Sequence, residues 1–227
     1  MLLRIASLIA SGIASYASVS STSQLWGRTI AHALSGKIAL TFDDGPNSDN
    51  TLRLLDVLAE AQVSATFFVI GRWARQQRDV LRGIANAGHT IGNHTDTHPN
   101  LFWCSASRTK QELTRCQSAV EDVTGSAVTL FRPPFGFRRP DTLRIVRDQG
   151  LTPILWNVKC FDWKKTTAES VYGHVQRGIL RNQRRDRGAI ILLHDGGDRA
   201  LGADRSHTIA AVRRLLAQYE RERFVAL

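Results

Sequence analysis

The stretch Ile38–Asn47, IALTFDDGPN, is apolar at four of its first five positions, sets Asp43 and Asp44 side by side, and turns on Gly45-Pro46. A short apolar run closed by turn residues reads as a strand buried on both faces, the kind found in parallel sheets. Two adjacent carboxylates at the mouth of such a strand repel each other and resist desolvation, so they need a cation, an arginine or water as partner. The remaining motifs of the chain supply candidates for that partner.

Downstream of Lys37, short apolar runs alternate with windows of helical spacing, which is the signature of βα units around a parallel sheet. The expected strands are KIALTF, ATFFVIG, HTIGN, TLFRPP, PILWNV, AIILLH and RFVAL. The expected helical stripes are Leu52/Leu55/Leu58, Val80/Ile84/Ala87, Leu113/Cys116/Val120/Val123, Val171/Val175/Ile179 and Ile209/Val212/Leu216. Gly88, Gly125 and Gly150 fall where a helix should stop before the next strand. Seven strands at roughly thirty-residue spacing predict an α/β fold, a distorted (β/α) barrel with about seven parallel strands.

The chain has 227 residues, 43% of them hydrophobic, enough for one well-buried domain. That domain is read as residues 37–227, behind an N-terminal segment of residues 1–36. The opening MLLRIASLIASGIASYASVSS carries one early cation, Arg4, and small residues at Ser15 and Ala17. A signal peptide within about residues 1–20 and an ordinary N-terminal segment both fit this pattern. The first would place the protein outside the cell or in its envelope, the second in the cytoplasm. The stretch is too interrupted for a transmembrane helix, and no other segment reads as a membrane span. Cys104, Cys116 and Cys160 lack CxxC spacing and read as small buried hydrophobes, not as a disulfide framework or a thiolate zinc site.

In α/β folds functional residues collect at the C-terminal ends of the strands. Here the first strand ends in Asp43-Asp44, the third in NHTDTH, the fourth in RPPFG, the fifth in CFDW and the sixth in LHDGG. His94 and His98 are four apart, a spacing that sets two imidazoles on one face of a helical turn. With one carboxylate they form a metal site with positions open for water and substrate, the mark of a catalytic centre. One aspartate of the pair can then bind the cation while the other accepts a proton. Arg132 is a fixed cation able to pair with the aspartate that is not a ligand. His32, His89, His174 and His207 read as structural or solvated.

TFDDGP, HTDTH, RPPFG, DW and LLHD, in that order and each at a strand end, resemble the polysaccharide deacetylases of carbohydrate esterase family four. The resemblance spans about Lys37 to Leu227. It implies that Asp43 is the general base and that Asp44, His94 and His98 hold a divalent metal, zinc first, with cobalt or another divalent ion also admitted. It implies that Arg132 holds Asp43, that Asp162 pairs with a general acid His194, and that the Phe135 backbone N–H serves the oxyanion. Leu192 would line the pocket for the acetyl methyl and Trp163 would wall the groove. Many relatives have Tyr where this chain has Phe135, which removes a phenol but keeps the backbone donor.

The implied function is metal-dependent removal of N-acetyl groups from an N-acetylglucosamine-containing glycan, of peptidoglycan or chitin type. The alternatives are an O-acetyl polysaccharide esterase of xylan type and a non-catalytic carbohydrate-binding protein on the same fold. A net charge of +10 raises the question of nucleic acid. The densest run, RNQRRDRG, precedes a strand and carries no interleaved aromatics, so it reads as a solvated face and no nucleic-acid partner is expected. Arg72, Arg75, Arg138, Arg139, Lys164, Lys165, Arg199 and Arg205 follow strands, and are expected to ring the catalytic rim and favour an anionic glycan.

Overall fold

The computed structural model describes residues 12–227; the leader reading rests mainly on residues 1–11, which lie outside the described residues. Seven strands run β1 Ile38–Asp43, β2 Thr66–Val69, β3 Thr90–Asn93, β4 Leu130–Phe131, β5 Thr152–Pro153, β6 Val158–Lys159 and β7 Ala189–His194. Between them lie α1 Asn50–Glu60, α2 Gly71–Gln76, α3 Arg78–Asn86, α4 Ala106–Thr124, α5 Pro140–Asp148 and α6 Ala168–Gln183, with α7 Ser206–Gln218 after β7. The sheet order is β5-β4-β3-β2-β1-β7-β6 and every pairing is parallel. The two edges do not pair, so the sheet curls into a half-barrel flanked by helices.

Alternation along the central strands divides the interior in two. Ile38, Leu40, Phe42, Ile191 and Leu193 point outward into the core shared with the helices. Ala39, Phe68, Ile190 and Leu192 point into the barrel, where they meet Ile154, Leu155 and Trp156. Asp43 and His194 continue the inner rows, and the register of β1 on β7 places them directly opposite each other.

The run PILWNV, expected to be one strand, is two short edges and a crossing. Pro153 has no N–H to continue a ladder. The Ile154 and Leu155 amides bond the carbonyls of Phe131 and Ile30, and Asn157 reaches the far edge through the Ile190 carbonyl. The segment thus spans the open side of the barrel, with Ile30 bridged to Ile154. Apolar composition serves equally for a ladder and for a buried crossing. RFVAL is likewise not a strand; it contributes one bridge, Phe224 to Ile38.

Helix α1 is rotated from its expected phase: Leu54, Val57 and Leu58 are buried while Leu52 is 45% exposed. The rotation turns Thr51 inward, where its hydroxyl donates to Asp195 at 2.5 Å. In α7 the inner face is Ile209, Val212 and Leu215, not Leu216. Helix α4 ends at Gly125, whose φ of 67° is open to glycine at no steric cost. It begins at Ser105, whose side chain accepts from the Arg108 amide at 3.2 Å. Ser105→Ala is expected to lower the unfolding free energy by about 1 kcal/mol. A shifted denaturant midpoint at unchanged slope would show it; an unmoved midpoint would mean that water replaces the cap. Among the described residues no helix is long and apolar enough to cross a membrane.

Candidate active site

Asp44 leaves β1 with a left-handed φ of 71°, which turns its carboxylate toward the loop after β3. His94 and His98 lie on that loop and not on a helical turn. Asn93 Oδ1 accepts from the Thr95 amide at 2.8 Å, and Thr95 Oγ1 accepts from the His98 amide at 3.0 Å. These side-chain turns, with Thr95 and His98 at φ 69° and 60°, bring the two rings to 4.9 Å between centroids. His94 Nε2 stands 3.4 Å and His98 Nε2 3.3 Å from Asp44 Oδ1.

Those three ligand atoms lie within 4.8 Å of one another, and the trio can hold a metal ion. Asp44 Oδ1 is buried with no hydrogen-bond partner, the kind of orphan that a cation satisfies. His94 donates from Nδ1 to the Arg132 carbonyl at 2.7 Å, which fixes its tautomer and leaves Nε2 free to ligate. Burial, then the neighbouring His94, push His98 down to about 4. Burial opposes ionisation of Asp44, but His94 close beside it, then His194 and His98, hold its carboxyl well below the usual range. A neutral imidazole and an ionised carboxylate are the forms that ligation requires. The donor set fits a divalent ion.

The partner of the second aspartate is Arg132, completely buried. Its Nη1 donates to Asp43 Oδ1 and to Thr41 Oγ1, both at 2.7 Å, its Nη2 reaches the Leu155 carbonyl at 3.3 Å, and its guanidinium lies 4.1 Å over the Phe68 ring. Thr41 has no distinguishing mark in the sequence beyond being the one polar residue in the apolar run Ile38–Phe42. Asp43 Oδ2 stands 3.7 Å from His94 Nε2, at the edge of the ligand cluster.

Across the β1–β7 ladder, His194 Nδ1 and its backbone amide bond the two oxygens of Asp162, each at 2.8 Å. Burial works against the imidazolium, but Asp162 overrides it, aided by Asp44 and Asp43, and raises His194 to about 9. The start of α7 holds Asp162 in turn: Thr208 Oγ1 donates to its carboxylate at 3.0 Å and His207 Nε2 to its carbonyl at 2.7 Å. His207, read from sequence as structural or solvated, therefore supports this pair. Trp163 packs edge-on against His194 at 5.2 Å, and Leu192 lies one inward position below it. Asp195, also unassigned from sequence, is buried beside Thr51; burial together with the Asp44 and Asp43 charges pushes it up to about 7.

Phe135 sits on a short 3-10 turn, Pro134–Gly136, with a left-handed φ of 59°, its ring 4.7 Å from that of His98. The Gly136 and Phe137 amides are taken by Pro133 and Pro134 carbonyls, while the Phe135 amide has no acceptor among the described residues. The expected ring of eight rim cations is not there. Arg138 is buried. Arg75 and Arg139 pair with Asp96 and Asp141, and Arg72 and Arg205 donate to the carbonyls of Asp198 and Gly196. Lys164, Lys165 and Arg199 remain exposed. Position after a strand does not say whether a long side chain turns out or in.

A family model described as polysaccharide deacetylase matches residues 33–154. A chitooligosaccharide deacetylase of Sinorhizobium fredii is 35% identical over 197 residues, 83% of this chain and 89% of that protein. A peptidoglycan-N-acetylglucosamine deacetylase of Bacillus cereus is 34% identical over 155 residues, 66% of this chain and 56% of that one. The crystal structure of the Bc1960 peptidoglycan N-acetylglucosamine deacetylase superposes with a TM-score of 0.79 at 29% identity, covering 88% of this chain and 90% of that one.

Proposed function

Because the chain belongs to the polysaccharide deacetylase family, we propose that it is a metal-dependent hydrolase that removes N-acetyl groups from an N-acetylglucosamine-containing glycan and releases acetate. The observation that carries this reading is the placement of Asp43, held by Arg132, and His194, held by Asp162, on either side of the Asp44, His94 and His98 cluster. A divalent ion held by those three residues, zinc by its preference for imidazole with one carboxylate, supplies Lewis acidity when bound. Asp43 takes the proton of the attacking water. The Phe135 amide donates to the oxygen on which charge develops. His194 gives its proton to the departing amine, and Leu192 and Trp163 shape the wall against the acetyl group.

The test measures acetate released from N-acetylglucosamine oligomers and from O-acetylated xylan by metal-loaded protein, before and after chelation. Release from the first, lost on chelation, is the expected result; release from xylan alone would replace the reading with an esterase, and release from neither would end it.

Among N-acetylated glycans, the structure's remaining rim charge favours one that bears carboxylates. Lys159 Nζ lies 5.0 Å from the Phe161 ring and 5.1 Å from Trp163, and Lys164 Nζ lies 5.4 Å from Phe161. Every lysine or arginine ion pair among the described residues belongs to an arginine, so these two ammonium groups are uncompensated beside the Trp163 wall. The joint substitution Lys159→Gln with Lys164→Gln is expected to lower the ratio of kcat/KM on peptidoglycan strands to that on neutral chitooligosaccharides about tenfold, with the loss fading as salt rises. An unchanged ratio at low salt would remove the preference.

A further inference from the structure

We infer that residues 18–23, which precede the matched family region, position the oxyanion donor through Arg138. The inference rests on the reading of the Phe135 amide as that donor. Arg138 is 1% exposed, yet no carboxylate pairs with it among the described residues. Its guanidinium is met by carbonyls: Nη2 donates to Ser20 and Ser23 at 2.7 and 2.9 Å, and Nη1 to Gly136 at 3.1 Å. Its amide also donates to the Ser18 carbonyl at 3.2 Å. A buried cation without a counter-ion is costly, and burial lowers this one to about 10. Its tolerance depends on those carbonyls staying where they are.

The Gly136 carbonyl belongs to the Gly136–Phe137 peptide, two planes along from the donor amide, so the bond to it pins the C-terminal end of the three-residue turn that carries Phe135. The same turn is wedged from below, where a Cβ on Gly136 would meet Trp156 at 2.7 Å. Phe135 itself is held at a positive φ that a bulky residue keeps only when its surroundings enforce it. Trp26 completes the strap, its Nε1 donating to Ser18 Oγ at 2.9 Å. The N-terminal segment is thereby a second anchor for the loop, independent of the sheet. Arg138 touches none of the ligand or acid–base residues and acts only through the turn; it is a positioning residue.

The test compares full-length Arg138→Met and Arg138→Lys with the unsubstituted protein, by kcat and KM on N-acetylglucosamine oligomers, bound metal, and amide hydrogen exchange over residues 130–140. Arg138→Met is expected to lower kcat about 10- to 100-fold with KM within about twofold and metal content unchanged, since displacing one donor costs turnover and not binding. Arg138→Lys should recover part of the loss. A folded Arg138→Met protein with undiminished kcat, or with a loss carried by KM, would overturn the inference. Should Arg138→Met not fold, Trp26→Phe loosens the same strap from a distance and is expected to speed exchange in the loop and lower kcat about two- to fivefold; no change in either sinks the proposal. If the unsubstituted protein releases no acetate, the functional reading has failed, and the exchange measurement still decides whether the strap restrains the turn.

Discussion

On the proposed mechanism, Asp43→Asn is expected to lower kcat about 10²- to 10⁴-fold while the protein still binds a divalent ion. The substitution preserves shape but removes the oxygen basicity that takes a proton from water, a contribution of that size for a positioned general base. Asp44, His94 and His98 are untouched, and Asp43 Oδ2 lies outside their cluster, 3.7 Å from the nearest imidazole nitrogen. The same change strips Arg132 of its buried partner, so the unfolding free energy should fall by about 3 to 5 kcal/mol, and the assay belongs well below the lowered melting temperature. His94→Ala makes the contrast: metal and activity should go together, since a ligand is lost. Metal analysis beside turnover separates the two variants, and equal metal loss in both would show that the two aspartates have been assigned the wrong way round.

For His194→Ala the expected fall in turnover is also about 10²- to 10⁴-fold, with a change in the shape of the pH profile. In its proposed role as acid, His194 must carry a proton to protonate the leaving amine. Its pKa is raised from the ordinary 6.5 to about 9, with burial opposed by Asp162 and then by Asp44 and Asp43. Because the folded value lies above the unfolded one, the stabilisation of the imidazolium is complete below about 6.5 and is lost as pH rises through about 9. A divalent ion held by Asp44, His94 and His98 would offset the negative charge of Asp44, which helps to raise His194, so the alkaline limb of kcat should fall at or below that upper value. His194→Ala should flatten this limb. A variant that retains it would take His194 out of the role of acid.

Much of the site was legible because its residues lie where short strands end, and strand ends are marked by abrupt changes from apolar to polar or turn residues. Asp43, Arg132 and His194 needed no knowledge of loops to be placed on one rim. Loop geometry was not legible in the same way. The four-residue spacing of His94 and His98 suggests a helix, whereas the turn is made by Asn93 and Thr95 side chains and two left-handed residues. Supports were missed for a different reason: His207, Thr41 and Asp195 act through single hydrogen bonds that depend on tertiary approach and leave no periodic trace. Arg138 illustrates the general difficulty with long cations, since the same residue type at the same kind of position is a rim charge in one case and a buried strut in another. The misread PILWNV run shows that hydrophobic content reports burial and not hydrogen-bond partner.

The pairing of Asp43 with His194 across one rung of β1 and β7 separates the chemistry from the recognition. Neighbouring strands sit about 4.8 Å apart whatever their loops do, so the backbone interval between the proposed proton acceptor and donor is set by the sheet, and Arg132 and Asp162 fix the side chains from there. Insertions, deletions and sequence drift in the βα connections can remodel which polymer is accepted, and at which sugar, without retuning that interval. Grafting the loops after β3, β4 and β6 from one such protein to another should therefore carry substrate range with them and leave proton traffic where it was, provided that the buried ties beneath each loop travel in the graft.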